Sequence, residues 1–167
     1  PNQKMQCSQE LQKALKEKAW VQLIPPSGKC HFIPQRLLPK GYGVIIASGG
    51  STGGSHLCFQ PLINLNQSAS ATGQWLKQQG INPKESITLN PLPMHHVSGL
   101  MPWWRSLAWG STHVWLQPSI MREPSELEQF SLKFLQKRNI SILTSLVPTQ
   151  LHFLLSSTAG ERWLKSL

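Results

Sequence analysis

Short apolar runs alternate with segments of helical period along most of this chain, and that alternation restricts its fold more than any other feature. Residues 42–47, Tyr-Gly-Val-Ile-Ile-Ala, are rich in β-branched side chains and predict a buried strand. Residues 56–60, 87–90, 113–116 and 140–143 read the same way in shorter form. Helical patterns lie between them. Residues 62–79 follow Pro61 and stop at Gly80, and residues 98–109 follow a proline-rich loop. Pro124 opens a helix in which Leu127, Phe130, Phe134 and Leu135 share a face and which ends at Asn139; Pro148 opens another through Ser156. At the start, Leu11, Ala14, Leu15 and Ala19 recur at helical spacing over residues 8–20, with Ser8 as a cap and Pro25-Pro26-Ser27-Gly28 as the break. Strands alternating with helices predict an α/β architecture, a largely parallel sheet flanked by helices. Residues 1–40 then form an N-terminal helix and connecting segment, and residues 41–167 the α/β unit proper.

Composition narrows the partners. Sixteen Lys and Arg stand against seven acids, all of them Glu, for a net charge of +9. Such a balance fits a solvated surface, attraction of anionic substrates, or nucleic-acid binding. Lys4, Lys13, Lys16 and Lys18 lie together but the other cations are scattered, so nucleic acid is not the expected partner. Handling of Mg-ATP usually places carboxylates near the metal and the ribose, and a complete ATP enzyme without any Asp would be unusual, so ATP chemistry here is expected to borrow residues from elsewhere. Cys7, Cys30 and Cys58 form neither a CxxC pair nor a metal-finger spacing, which fits reduced thiols. No apolar run reaches the roughly 18 residues of a membrane helix, and Pro1-Asn2-Gln3-Lys4 has no signal-peptide layout. The expectation is a cytoplasmic chain that begins inside a longer protein.

The first predicted strand feeds Ser48-Gly49-Gly50-Ser51-Thr52-Gly53-Gly54. Glycines let a backbone turn sharply and bring several N–H groups to one anion, and Ser51 and Thr52 add hydroxyl donors. A plain tight turn is the simplest alternative. A Walker-type phosphate loop fits the separation of Gly49 and Gly54, but Ser55 and His56 follow where Lys is required. The GxSxG nucleophile elbow of serine hydrolases matches Gly49 to Gly53 literally. That elbow needs a helix directly after the serine, and its triad would have to use residues such as Glu128 and His152.

Residues 90–107 carry the second constellation, Asn-Pro-Leu-Pro-Met-His-His-Val-Ser-Gly-Leu-Met-Pro-Trp-Trp-Arg-Ser-Leu. Adjacent His95 and His96 lack the HxxxH spacing of helical metal ligands and have no Cys nearby, so no metal site is expected. Taken with the glycine-rich loop about 40 residues upstream, this segment resembles the paired signatures of adenylate-forming enzymes. The first reads [ST]-[SG]-G-[ST]-T-G-x-P-K in a hairpin-like turn; the second reads P-L-[FYP]-x-H-x-x-G. Ser55 stands where Pro is usual and His56 where Lys is usual. His96 to Leu100, Trp104 to Leu107 and Thr144 to Leu151 are similar to the o-succinylbenzoate–CoA ligase branch of that superfamily, in its cyanobacterial or plastid form. The resemblance covers residues 41–167 and is weak before them.

The resemblance implies an incomplete part of the large N-terminal domain of an acid–CoA ligase, with 41–167 as a partial ATP- and acyl-binding unit. It implies attack of a carboxylate on ATP, with Mg2+, to give an acyl-adenylate, followed by thioester formation with CoA in menaquinone or phylloquinone synthesis. Ser48, Gly49, Gly50, Ser51, Thr52, Gly53, Gly54 and His56 would meet the ATP phosphates. His96 would border the reacting carboxylate as the catalytic-site residue, and His96, Ser98 and Arg105 would hold the o-succinylbenzoate substrate. A guanidinium stacked on neighbouring tryptophans is the alternative for Arg105. The family's later adenine, ribose and metal signatures are missing from the sequence. The expectation is therefore an inactive piece of a longer ligase, with exposed apolar faces that favour self-association.

Overall fold

The computed structural model describes residues 2–49, 55–135 and 140–167. Chain order is helix α1 (Asn2–Lys16), strand β1 (Trp20–Leu23), β2 (Gly43–Gly49), β3 (Ser55–Pro61), α2 (Leu62–Gln78), β4 (Ile87–Asn90) and α3 (Val97–Trp109). Then come β5 (Thr112–Trp115), α4 (Pro124–Leu135), β6 (Ile142–Thr144), α5 (Pro148–Leu155) and α6 (Thr158–Lys165).

The structure is mixed α/β, but its strands do not make one sheet. Among the described residues they form two three-stranded sheets, β1-β2-β3 and β5-β4-β6. The second is parallel throughout, as expected. In the first, β1 runs parallel to β2 while β3 returns antiparallel, with Ser48 opposite His56 and Gly49 opposite Ser55. The expected largely parallel sheet is therefore divided in two, and the first part is mixed because β3 returns directly beside β2, the strand before it, and such a return is antiparallel.

Two apolar cores match the two sheets. Leu11 and Leu15 of α1, Val44 and Ile46 of β2, Leu65 and Ala69 of α2, and Leu100, Trp103 and Trp104 of α3 make the first. Ile87, Leu89, Met121, Leu127, Ile142, Leu154 and Trp163 belong to the second. Helix α3 packs between α2 and β4 and so spans both. Trp104 Nε1 donates to Asn66 Oδ1 at 3.1 Å and Trp109 Nε1 to the Ala69 carbonyl at 2.9 Å, which fixes α3 on α2.

Helix α1 begins and ends earlier than the 8–20 its periodicity predicts, so Ser8 is not its cap but lies inside it, with its Oγ donating to the Met5 carbonyl at 2.7 Å. Ala19 N donates to Ala14 O and Lys18 N to Leu15 O, a left-handed closing turn that puts Lys18 at φ 59°. A side chain with a Cβ is strained there, so Lys18→Gly should raise stability by about 1 kcal/mol. Urea denaturation of the two proteins measures it, and an unchanged midpoint would count against this turn. After the turn the chain enters β1, whose first residue, Trp20, the periodicity places in the helix and whose other residues it places in no element.

Candidate functional site

A cavity of about 350 Å³ lies where the β2–β3 hairpin meets the start of α3. Ile46, Ala47 and Ser48 line it from β2, Cys58 and Gln60 from β3, and His96, Val97 and Ser98 from the entry to α3. The stem of the glycine-rich loop and the His96–Ser98 segment therefore share one wall-to-wall space, although about 50 residues of sequence separate them. Residues Gly50, Ser51, Thr52, Gly53 and Gly54 lie outside the described residues. Ser48 Oγ donates to the His56 carbonyl at 3.2 Å, so its proton is used across the hairpin stem and its lone pairs stay available. His56 is exposed at the same rung of the ladder.

Asn90 sets the geometry of the second wall. It ends β4 with no exposed surface. Its Oδ1 accepts from Leu92 N at 3.1 Å, and its Nδ2 donates to the Gly99 carbonyl at 2.8 Å. The loop from Pro91 to Ser98 is thus pinned at both ends by one side chain. Gly99 allows the close approach this demands, because a Cβ there would stand 2.1 Å from the Pro93 carbonyl oxygen. Helix α3 begins with His96 as its N-cap, and its N-terminal N–H groups favour negative charge in the first turn. The His95 and His96 rings lie tilted against each other, centroids 4.5 Å apart and planes at 53°. Burial, and then the neighbouring His96, lowers the His95 pKa.

The Asn90 amide also lies 3.2 Å from His113 Nε2, which accepts in the tautomer protonated at Nδ1. Burial first, and then Lys4, lowers the His113 pKa to about 4. Lys4 donates to the Leu116 carbonyl at 3.1 Å and sits over the Trp115 ring. The neutral ring belongs to the folded state, whereas the unfolded ring titrates near its ordinary value of 6.5. The stabilisation is complete above about pH 6.5 and is lost as pH falls towards 4, since the unfolded chain then binds the extra proton. Stability should drop by about 2–3 kcal/mol between pH 7.5 and 4 in the native chain and much less in His113→Gln. Chemical denaturation at the two pH values checks this; equal losses in both proteins would contradict it.

Arg105 lies elsewhere. Seven residues beyond Ser98 on α3, it is displaced along the axis by about 10 Å, and it does not line the His96–Ser98 cavity. It lines a separate cavity of about 140 Å³ with Thr72, Thr88, Trp109, Thr144 and Ser145. Its Nε is buried with no hydrogen-bond partner among the described residues, and burial lowers its pKa. The cations that sit over aromatic rings among those residues are Lys4 and Lys133, so the stacked alternative for Arg105 has no such contact.

The hydrolase alternative meets two obstacles. The element after the glycine-rich loop is β3, not the helix an elbow requires. Glu128 is held by Arg162 through Nε–Oε1 and Nη2–Oε2 bonds of 2.8 Å, the first cause of its lowered pKa, and is not paired with His152. No group of three or more His, Cys or Glu converges on a metal position among the described residues. Nor is any described helix long and apolar enough to cross a membrane.

Fold and cavity together define a mixed α/β chain in which the paired strands β2 and β3 face the N-terminus of a helix. No protein family model matches this chain, and no curated protein matches it in sequence. Among solved structures, the o-succinylbenzoate coenzyme A synthetase (MenE) of Bacillus subtilis, in complex with AMP, aligns at 22% identity with a TM-score of 0.40. That alignment covers 68% of this chain and 26% of the synthetase, so the chain spans about a quarter of its length.

Cys58, Gln60 and Asn90 were not singled out by the sequence. Asn90 carried a usable signal, an amide side chain at the end of an apolar strand and directly before proline. Cys58 and Gln60 carried none, because their place follows from the pairing of β3 with β2.

Proposed function

We propose that this chain is part of an adenylate-forming acid–CoA ligase, and that the acid is o-succinylbenzoate. The supporting observation is the cavity shared by Ser48 of the loop stem and His96 and Ser98 of the second motif. Adenylation joins a carboxylate to the α-phosphate of ATP, so the site must offset repulsion between two anions. The N-terminus of α3, beside the cavity, supplies N–H donors for that purpose. His96 borders the carboxylate, Ser98 orients the acid, and Ser51, Thr52 and His56 meet the outer phosphates. Arg105, which lines a different cavity, is given no contact with the acid in this reading. Mg2+ would neutralise phosphate charge, and CoA would take the acyl group afterwards.

ATP–pyrophosphate exchange dependent on o-succinylbenzoate tests the reading, run on this chain and on the complete product of its gene. Exchange in the complete product, lost by at least about 100-fold in His96→Ala, is the expected result. Absence of exchange with this acid and with other aromatic or aliphatic acids would remove the proposal.

A further inference from the structure

The connection between β1 and β2 runs from Ile24 to Tyr42 with a single 3-10 turn at Gln35–Leu37. Irregular connections longer than roughly 12–15 residues are uncommon and usually have a task. This one is held in place at several points. The Gln22 side-chain oxygen accepts from His31 N at 3.2 Å and from Cys30 Sγ at 3.4 Å. Trp20 Nε1 donates to the Pro39 carbonyl at 3.1 Å, and Gly28 N closes a turn on Pro25 O. On this anchored backbone Phe32 is 91% exposed, Leu37 63% and Ile24 37%. Lys29, His31, Arg36 and Lys40 are exposed among them.

Among the described residues no ion pair joins those cations. From Lys18 to Lys84 the sequence contains no carboxylate. The ion pairs among the described residues, Arg162–Glu128 and Lys165–Glu161, both belong to the C-terminal third. A tethered loop that displays an aromatic and an aliphatic side chain between uncompensated cations has the chemistry of interfacial binding. The apolar tips enter the acyl boundary while Lys and Arg meet anionic headgroups.

We propose that residues 24–41 form a docking surface for an anionic lipid bilayer, with Phe32 and Leu37 as the inserted side chains and Lys29, Arg36 and Lys40 as headgroup contacts. The surface neither spans the bilayer nor involves the His96 cavity. Neighbouring cations each contribute about fivefold to binding of an anionic surface, and high salt removes that part.

Vesicle co-sedimentation of the whole chain tests it, with phosphatidylcholine vesicles and with vesicles containing about one-third phosphatidylglycerol. Binding to the anionic vesicles alone is expected, weakened by salt. Phe32→Ser should weaken it about tenfold, and Lys29→Gln/Arg36→Gln/Lys40→Gln together about 100-fold. Thermal melts of both variants should match the parent, since all these side chains are exposed. Equal binding to neutral vesicles, no binding to either kind, or binding that both variants retain would overturn the proposal. So would salt-sensitive capture of RNA by a chain that leaves the vesicles behind.

Discussion

Asn90→Leu should destabilise the chain by about 3–5 kcal/mol and abolish ligand binding at the His96 cavity. The Asn90 amide satisfies Leu92 N and the Gly99 carbonyl, and both residues are buried. Leucine has nearly the same size but neither donates nor accepts, so two buried backbone groups lose their partners at about 1–3 kcal/mol each. The same change removes the neighbour of His113 Nε2. With neither end pinned, the Pro91–Ser98 loop no longer holds His96 and Ser98 against β2. Urea denaturation reads the first effect and calorimetric titration of the complete gene product with ATP and o-succinylbenzoate the second. Retention of stability within 1 kcal/mol of the parent would show that Asn90 does not hold this loop.

Trp163→Ala is the other large effect, and it acts on stability alone. Trp163 of α6 has no exposed surface and packs with Leu127 and Leu154 over the parallel sheet. Its Nε1 donates to Ser131 Oγ at 2.8 Å, and Ser131 donates in turn to the Leu127 carbonyl at 2.8 Å. Truncation opens a large cavity that two short helices cannot collapse around, at a cost of about 3–5 kcal/mol. Small domains have about 5–15 kcal/mol in total, so a substantial part of the second core's margin is at stake. Trp163→Phe keeps most of the volume and removes only the indole donor, for a loss of about 1–2 kcal/mol. Comparable small losses from both variants would mean that α6 does not close this core.

Elements bounded by strong punctuation were legible in the sequence. Pro61 and Gly80 frame α2, and Gly80 has φ 77°, the left-handed stop that glycine provides without strain. Strand β4 stands where its apolar run predicts, and α3 within one residue. Strand β1 was missed because Trp20 to Leu23 are all half-buried and follow α1 without a break the sequence marks. Helix α6 was missed although Ser157 caps it by accepting from Gly160 N, because only Trp163 and Gly160 of that helix are buried. The division into two sheets could not be read locally, since it depends on which distant edges pair.

The candidate site was legible only in part. Its motifs named Ser48, His96 and Ser98, which line one cavity. Arg105 belongs to the same motif in sequence, but the helical rise carries it to another space. Side chains such as Asn90 owe their importance to partners on other elements, and no local pattern announces those. The end expected at Asn139 for α4 lies outside the described residues.

Cys58 offers the most direct test of whether the two motifs share one ligand, because it lines the cavity between them. The measurement is the alkylation rate of Cys58 in a Cys7→Ser/Cys30→Ser version of the complete gene product, with and without a non-hydrolysable o-succinylbenzoyl-adenylate analogue. The shared site predicts that the analogue slows alkylation at least about tenfold, as burial of a thiol under a ligand does. An unchanged rate at saturating analogue would contradict it.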